Sequence, residues 1–372
     1  MTLYYADASR PDDTGDGLSI PTAKKTIQAA ENLNPAAGSI IHVRQGTYRE
    51  TATLGVSGSA GNQIEIRGDY TGAIFGDPPG GVVRITGSDN DQTATRANCI
   101  VNSAPRAYRT FTNLLMDTTT GSLVATGAGA DNNIFQKCEF VVGGGTGVNI
   151  NGSATVTNNT IQNCIFFGHR NQNSLSLAFV TSQVNNSNNL IQSCIFLGGA
   201  TQLSVTRIGG TVIKNCIHLW QGAGGAGVGA IASQTALTGG QTITVNNCLL
   251  NSCNVALGGQ AGNADITEDY NTFYANITDR TNVNTGAHSV TYPPLFDARW
   301  FFELVNGGRM LSPFDLASYS QLVNLAGTNP PATDMRGTGT VGAQREWGAL
   351  EYDPTLRIKS PLMRALYQMG IG

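Results

Sequence analysis

A parallel β-helix, an all-β solenoid of stacked coils, is the fold class the sequence predicts, and three observations lead there. The first is a returning phrase: Asn132-Asn-Ile-Phe-Gln-Lys-Cys138-Glu-Phe140 comes back around Cys164, Cys194, Cys216 and Cys248, and around Leu114 with Leu in the cysteine slot. The slot recurs at intervals of 22 to 32 residues, and a unit of varying length whose β-rich core keeps its register is a solenoid signature. The second is content: runs of Ile, Val, Phe and Thr are separated by Gly, Asn and Ser clusters, with no 3.6-residue period between them. The third is composition. Gly is 46 of 372 residues and charged residues are 13%, against a usual ~25%, so turns are frequent and charged surface is scarce. The 40% hydrophobic content excludes a disordered chain, and 22 Lys+Arg against 25 Asp+Glu without a basic run speaks against nucleic acid. No stretch is apolar and long enough to span a bilayer, so no membrane partner is expected.

The chain divides into a cap and first coil (1–50), coils (51–290), a closing cap region (291–354) and a short tail (355–372). At the front, Tyr4-Tyr5-Ala-Asp7, Lys25-Thr26-Ile27-Gln28 and Ile40-Ile41-His-Val43 followed by Gly46-Thr47-Tyr48 resemble the capping helix and first coil of pectate-lyase-like proteins. Ser312-Pro313, Asn324-Leu-Ala-Gly327 and Gly348-Ala349-Leu350-Glu351-Tyr352 are similar to the closing cap of bacterial surface β-helices. The resemblance, over about residues 3 to 354, implies a right-handed, single-stranded parallel β-helix with an N-terminal capping helix and a C-terminal cap. It leaves activity open, because such rods include lyases, hydrolases and non-enzymatic fibres.

Side chains alternate in and out along a strand. Phe111, Phe135, Ile161, Ile191, Ile213 and Val245, three before the slot, are expected inside, as are the slot itself and Met116, Phe140, Phe166, Phe196, His218 and Leu250 two after it. The seven cysteines, an odd number without a CxxC pair, read as buried free thiols rather than disulfides or metal ligands. Asn113, Asn163, Asn215 and Asn247 precede the slot and read as a left-handed turn ladder with rung-to-rung amide bonding. One after the slot, Ile165, Ile195, Ile217 and Leu249 face outward. A stripe of that kind needs either a covering loop or a partner subunit, and the second option makes these four a candidate trimer interface.

From Phe140 to Ala264 the sequence holds no Asp and no Glu, and its cationic residues there are His169, Arg170, Arg207, Lys214 and His218. Glycoside hydrolysis needs two carboxylates about 5 to 9 Å apart, and the resemblance to pectate lyases implies acidic calcium ligands with an Arg or Lys base. The central coils supply no carboxylate for either. The catalytic candidates are therefore Arg207, Lys214 and His218 with Glu268 and Asp269 from the far side of the gap, or a Lys, His or Tyr lyase without metal. His218, in a Phe slot, reads as a core histidine first. Asp12 and Asp16 suit either a Ca²⁺ loop, lacking its bidentate Glu, or a capping turn, and no other cofactor is expected.

Leu362, Leu366 and Met369 fall on one helical face of the tail, which either folds back or docks on a partner. The opening residues lack a secretory pattern, which predicts assembly in the cytoplasm, or an extracellular place if a leader has been removed. Together these features favour a non-enzymatic, structural and adhesive, trimeric component of a bacteriophage virion: a decoration protein, head fibre or tailspike among capsid or tail proteins, touching surface polysaccharide through Trp220. The alternatives are an exported polysaccharide lyase or glycoside hydrolase acting on acidic polysaccharide, and a bacterial surface adhesin.

Overall fold

The computed structural model describes residues 1–294 apart from 103–105, 127–130, 142–143, 153–155, 168–172, 180–186, 222–228, 236, 238–240 and 262–264. The closing cap and the tail residues Leu362, Leu366 and Met369 lie outside the described residues. The chain winds through three long parallel sheets, each coil adding one strand to each. Sheet I has ten described strands, from Leu3–Ala6 to Ile266–Asp269; sheet II has nine, from Gly46–Tyr48 to Thr272–Tyr274; sheet III has nine, from Ala52–Thr53 to Thr278–Thr281. This is the parallel β-helix that the repeat predicts. A short helix, Ile27–Glu31, closes the N-terminal end, its first turn capped by Thr26 Oγ1, which accepts from Ala29 N at 3.1 Å. Glu50 accepts from Ile27 N and Gln28 N as well, and burial pushes its carboxyl above the usual range.

The inward columns follow the expected frame. Phe111, Phe135, Ile161, Ile191, Ile213 and Val245 pair strand to strand along sheet I and are buried. On sheet II, Phe140, Phe166, Phe196 and His218 stack with ring centroids 4.7, 4.8 and 4.6 Å apart and planes within 17°. That spacing is the inter-strand distance itself, so each ring rests flat on its neighbour in the next coil. Val124, Val148, Leu175, Leu203, Ile231 and Leu257 complete the interior from sheet III.

From the strand Arg109–Thr112 onward, each coil turns between sheets I and II through two residues, the first left-handed. Asn113, Lys137, Asn163, Ser193, Asn215 and Asn247 have φ of 51° to 57°, where asparagine is tolerated best. The second is the slot, so the thiols line the inside of one corner. All seven cysteines are free and buried, and Cys164 and Cys194 donate weakly to the Gln162 and Gln192 carbonyls at 3.3 Å. Rung-to-rung bonding by asparagine is also present, but at the other end of the sheet I strands. There buried Asn133, Asn159 and Asn189 take backbone N–H groups of the preceding coil at 2.9 to 3.0 Å. Burial pushes the Cys99 and Cys253 thiols up to about 12, and a protonated, enclosed thiol is a poor nucleophile. None of the seven should react with an aromatic disulfide reagent in the native protein, and all seven should react in guanidinium. A thiol titrating promptly before unfolding would show that the interior opens.

Ile165, Ile195, Ile217 and Leu249 do point away from the interior, yet they are only 4%, 0%, 2% and 0% exposed within the single chain. This corrects their reading as an oligomer interface: no apolar surface is left there for a partner subunit to cover. Among the described residues no helix is long and apolar enough to cross a membrane.

Candidate functional site

The corner between sheets I and II keeps two residues in every described coil, from Thr112 and Leu115 to Asp269 and Thr272, whereas both borders of sheet III vary. From sheet II to sheet III the connection shrinks to three residues between Asn251 and Val255 and grows to eleven between Leu219 and Ile231 and thirteen between Thr86 and Ile100. Function concentrates where a rigid scaffold carries variable loops, which points to the outer face of sheet III and its two borders.

That face is almost without charge. Its central outward column includes Val101, Ala125, Asn149, Ser204, Ala232, Gly258 and Thr281, all small and uncharged, half-exposed as far as Asn149 and covered at Ser204, Ala232 and Gly258. Charge gathers instead at the N-terminal end of the border between sheets II and III. There Arg84 bridges Asp117 (2.7 Å) and Asp91, Arg49 pairs with Asp91 (2.6 Å), and Arg96 pairs with Asp89 (2.6 Å). Hydrogen bonds from Arg49 and then Arg84 pull the Asp91 carboxyl down to about 2. Three cations against three carboxylates make this network self-neutralising. The sequence carries no signal for it, because Arg49, Arg84 and Asp117 come from three different coils.

The five catalytic candidates do not converge. His218 lies wholly inside, stacked on Phe196, its Nδ1 donating to Gln202 Oε1 at 3.0 Å. It is a core residue, not a proton-transfer group. Glu268 also points inward, continuing the column of Ile213 and Val245, because Arg280 replaces a core leucine opposite it. Its carboxylate takes Arg280 Nε (2.8 Å), Gly286 N (2.6 Å), Asn271 Nδ2 (2.8 Å) and Ser289 Oγ (2.6 Å), so it plugs the end of the apolar interior. Arg280 in turn lies 3.9 Å over the Phe273 ring. Lys214 and Asp269 share an outward column on sheet I with Asn246 between them, two rungs or about 10 Å apart. Only Arg207, left-handed at φ 57° just after Thr201–Thr206, sits at a border of sheet III.

Asp269 has a different partner, His288, which sequence reading misses because they lie 19 positions apart with no shared pattern. Asp269 accepts from His288 N (2.8 Å) and Nδ1 (2.9 Å), and the His288 ring lies flat on Tyr270 at 4.4 Å. Burial at Asp269 opposes ionisation, but the His288 hydrogen bonds outweigh it and hold the carboxyl below its usual range. Among the described residues this is the one carboxylate–imidazole pair, and it lies at the sheet I corner, away from sheet III.

At the proposed calcium loop, Asp12 accepts from Thr14 N and Oγ1, and Asp16 accepts from Leu18 N and Thr22 Oγ1. These carboxylates are engaged as turn caps, and among the described residues no cluster of three His, Cys, Asp or Glu side chains is arranged to hold a metal ion. Trp220 is 48% exposed at the border of sheets II and III.

No family profile matches the chain, and no curated protein matches it. Solved structures do. Pectate lyase Pel9A is similar over 95% of this chain and 97% of its own, at 17% identity and a TM-score of 0.58. The chain has the pectate-lyase-like right-handed parallel β-helix fold. A rhamnogalacturonan lyase is similar over 74% of each chain, at 15% identity and a TM-score of 0.54. Both of these solved structures are polysaccharide lyases. The expectation of a non-enzymatic virion rod is corrected on this finding. The trimer argument had rested on the stripe that proves to be covered, and the acid-free face spoke against one catalytic chemistry, not against catalysis.

Proposed function

We propose that this pectate-lyase-like protein is an extracellular polysaccharide lyase acting on an acidic polysaccharide, with the borders of sheet III and the half-exposed N-terminal part of its outer face, at Val101, Ala125 and Asn149, as the substrate groove. The observation that carries this reading is the correspondence of almost the whole chain with the fold of a pectate lyase. Elimination is favoured over hydrolysis by the residues themselves, since hydrolysis needs a carboxylate pair and the central coils contain none. In an elimination a base takes the proton on the carbon next to the uronic carboxyl group. The electron pair forms the ring double bond, and the glycosidic oxygen leaves with a proton from a general acid. Among the sequence candidates, Arg207 is the one placed at the groove's border for such a step.

Incubation with polygalacturonan, rhamnogalacturonan and alginate should release unsaturated products that absorb in the ultraviolet. New reducing ends without that absorbance would make the enzyme a hydrolase, and no product from any of the three would overturn the reading.

A further inference from the structure

Trp220 has an unusual setting. Its backbone is left-handed, φ 56°, a conformation that costs a bulky L-residue about 1–2 kcal/mol, and its large apolar ring is nevertheless half in solvent. In the same corner Gly198 precedes it by one coil, and Ser252 and Ala275 follow, all with positive φ. Gly198 N donates to Leu219 O, Trp220 N to Asn251 O and Ser252 N to Tyr274 O, so these corners stack in register. Both neighbours of the indole are small, and the space where a side chain of Gly198 would lie is open. Tyr274, 39% exposed, ends the sheet II strand just before this corner, following Leu219 and Asn251 in register and two rungs, about 10 Å, beyond Leu219.

The corner beneath the indole is braced from inside by two buried amides. Gln202, held by His218, donates to Gly198 O at 3.1 Å and to Leu219 O at 2.7 Å. Gln221 donates to Ala200 O and accepts from Val255 N at 3.1 Å. A strained backbone clamped on both sides fixes the direction of an exposed ring, and preorganisation of that kind reduces the entropy lost on binding.

Resting on the lyase reading, we propose that Trp220 and Tyr274 form a two-rung stacking platform that holds the polysaccharide lengthwise along the edge of sheet III. The platform grips the faces of sugar rings about a disaccharide apart, the hydroxyl of Ser252 and the amide of Asn251 lying between. The described strands and corners around it, residues 196–202, 217–221, 249–258 and 272–277, contain no Lys or Arg. Its grip is therefore on ring faces and hydroxyl groups, not on carboxylates, and is insensitive to salt.

The test uses the full-length protein and affinity electrophoresis against the three acidic polysaccharides and a neutral galactan. Trp220→Gly should weaken binding about tenfold, Trp220→Phe should keep most of it, and Tyr274→Ala should weaken it less. Affinity should change less than about twofold up to about 0.5 M salt. Glycine accepts the left-handed backbone, so Trp220→Gly should leave the thermal midpoint unchanged or raised. A lowered midpoint with unchanged binding would make Trp220 structural and overturn the proposal. So would absence of binding to every polysaccharide, or light scattering that shows a dimer lost in Trp220→Gly. Binding without turnover leaves the platform standing and removes the lyase reading; turnover with binding indifferent to Trp220 does the reverse.

Discussion

Arg109→Ala is expected to remove about 3–5 kcal/mol of stability in urea unfolding. Arg109 follows Ile64 in a column of sheet I, and both it and Glu31, the last residue of the capping helix, have fully buried side chains. The guanidinium takes both carboxylate oxygens, Nη1 to Oε2 at 3.3 Å and Nη2 to Oε1, and also donates to Val56 O at 3.0 Å. Gly55 N donates to the same carboxylate at 3.3 Å. Truncating the arginine leaves a carboxylate enclosed without its counter-charge, which costs far more than the pair itself contributes. The double change Arg109→Met with Glu31→Leu should therefore recover most of the loss, because two apolar groups fill the space without desolvated charge. A single-variant loss under about 1 kcal/mol, or a double variant no better than the single, would show that water reaches this joint between helix and coils.

Phe166→Ala should cost about 3–5 kcal/mol, and Phe166→Leu under about 1.5 kcal/mol. Phe166 lies between Phe140 and Phe196 with ring planes at 17° and 6°, so truncation opens a cavity with an unsupported ring on each side. The form of the transition matters too. In a stack where each coil touches only its neighbours, a gap in the middle uncouples the two halves. The unfolding curve should broaden or split, whereas Arg109→Ala, near one end, should shift it with less change of slope. A sharp, single transition for Phe166→Ala would mean that the rod unfolds as one unit.

The coils were legible because a solenoid writes its geometry repeatedly: the slot, the residue before it and the residue two after it each have one environment, restated six times. Asn113, Asn163, Asn215 and Asn247 announced a left-handed corner through their type, and Lys137 and Ser193 take the same conformation through their position alone. The fate of Ile165, Ile195, Ile217 and Leu249 was not legible. Alternation gives the direction of a side chain but not what lies over it. The Asp269–His288 pair and the Arg49–Asp91–Arg84 network escaped for a related reason, since each joins coils whose local sequences share no pattern. Glu268 was misplaced because an acid in an inward position makes sense only beside Arg280, which is itself an exception in a leucine column. The functional reading leaned on the acid-free stretch, which restricts how a rod performs chemistry but is silent on whether it does.

The constant two-residue corner has a consequence for how the molecule can change. Since one edge of each coil from Thr112 to Thr272 is fixed in length, an insertion on the opposite side lengthens a single connection without shifting the register of the coils above or below. The entropic cost of such a lengthening grows only with the logarithm of its size. New segments can thus be grafted or exchanged coil by coil, and the border of sheet III can be reshaped locally while the thiol corner and the phenylalanine stack stay untouched. The rod behaves as a rack with independent slots, and a loop transplanted from another β-helix between Leu219 and Ile231 needs to match only the two ends it replaces.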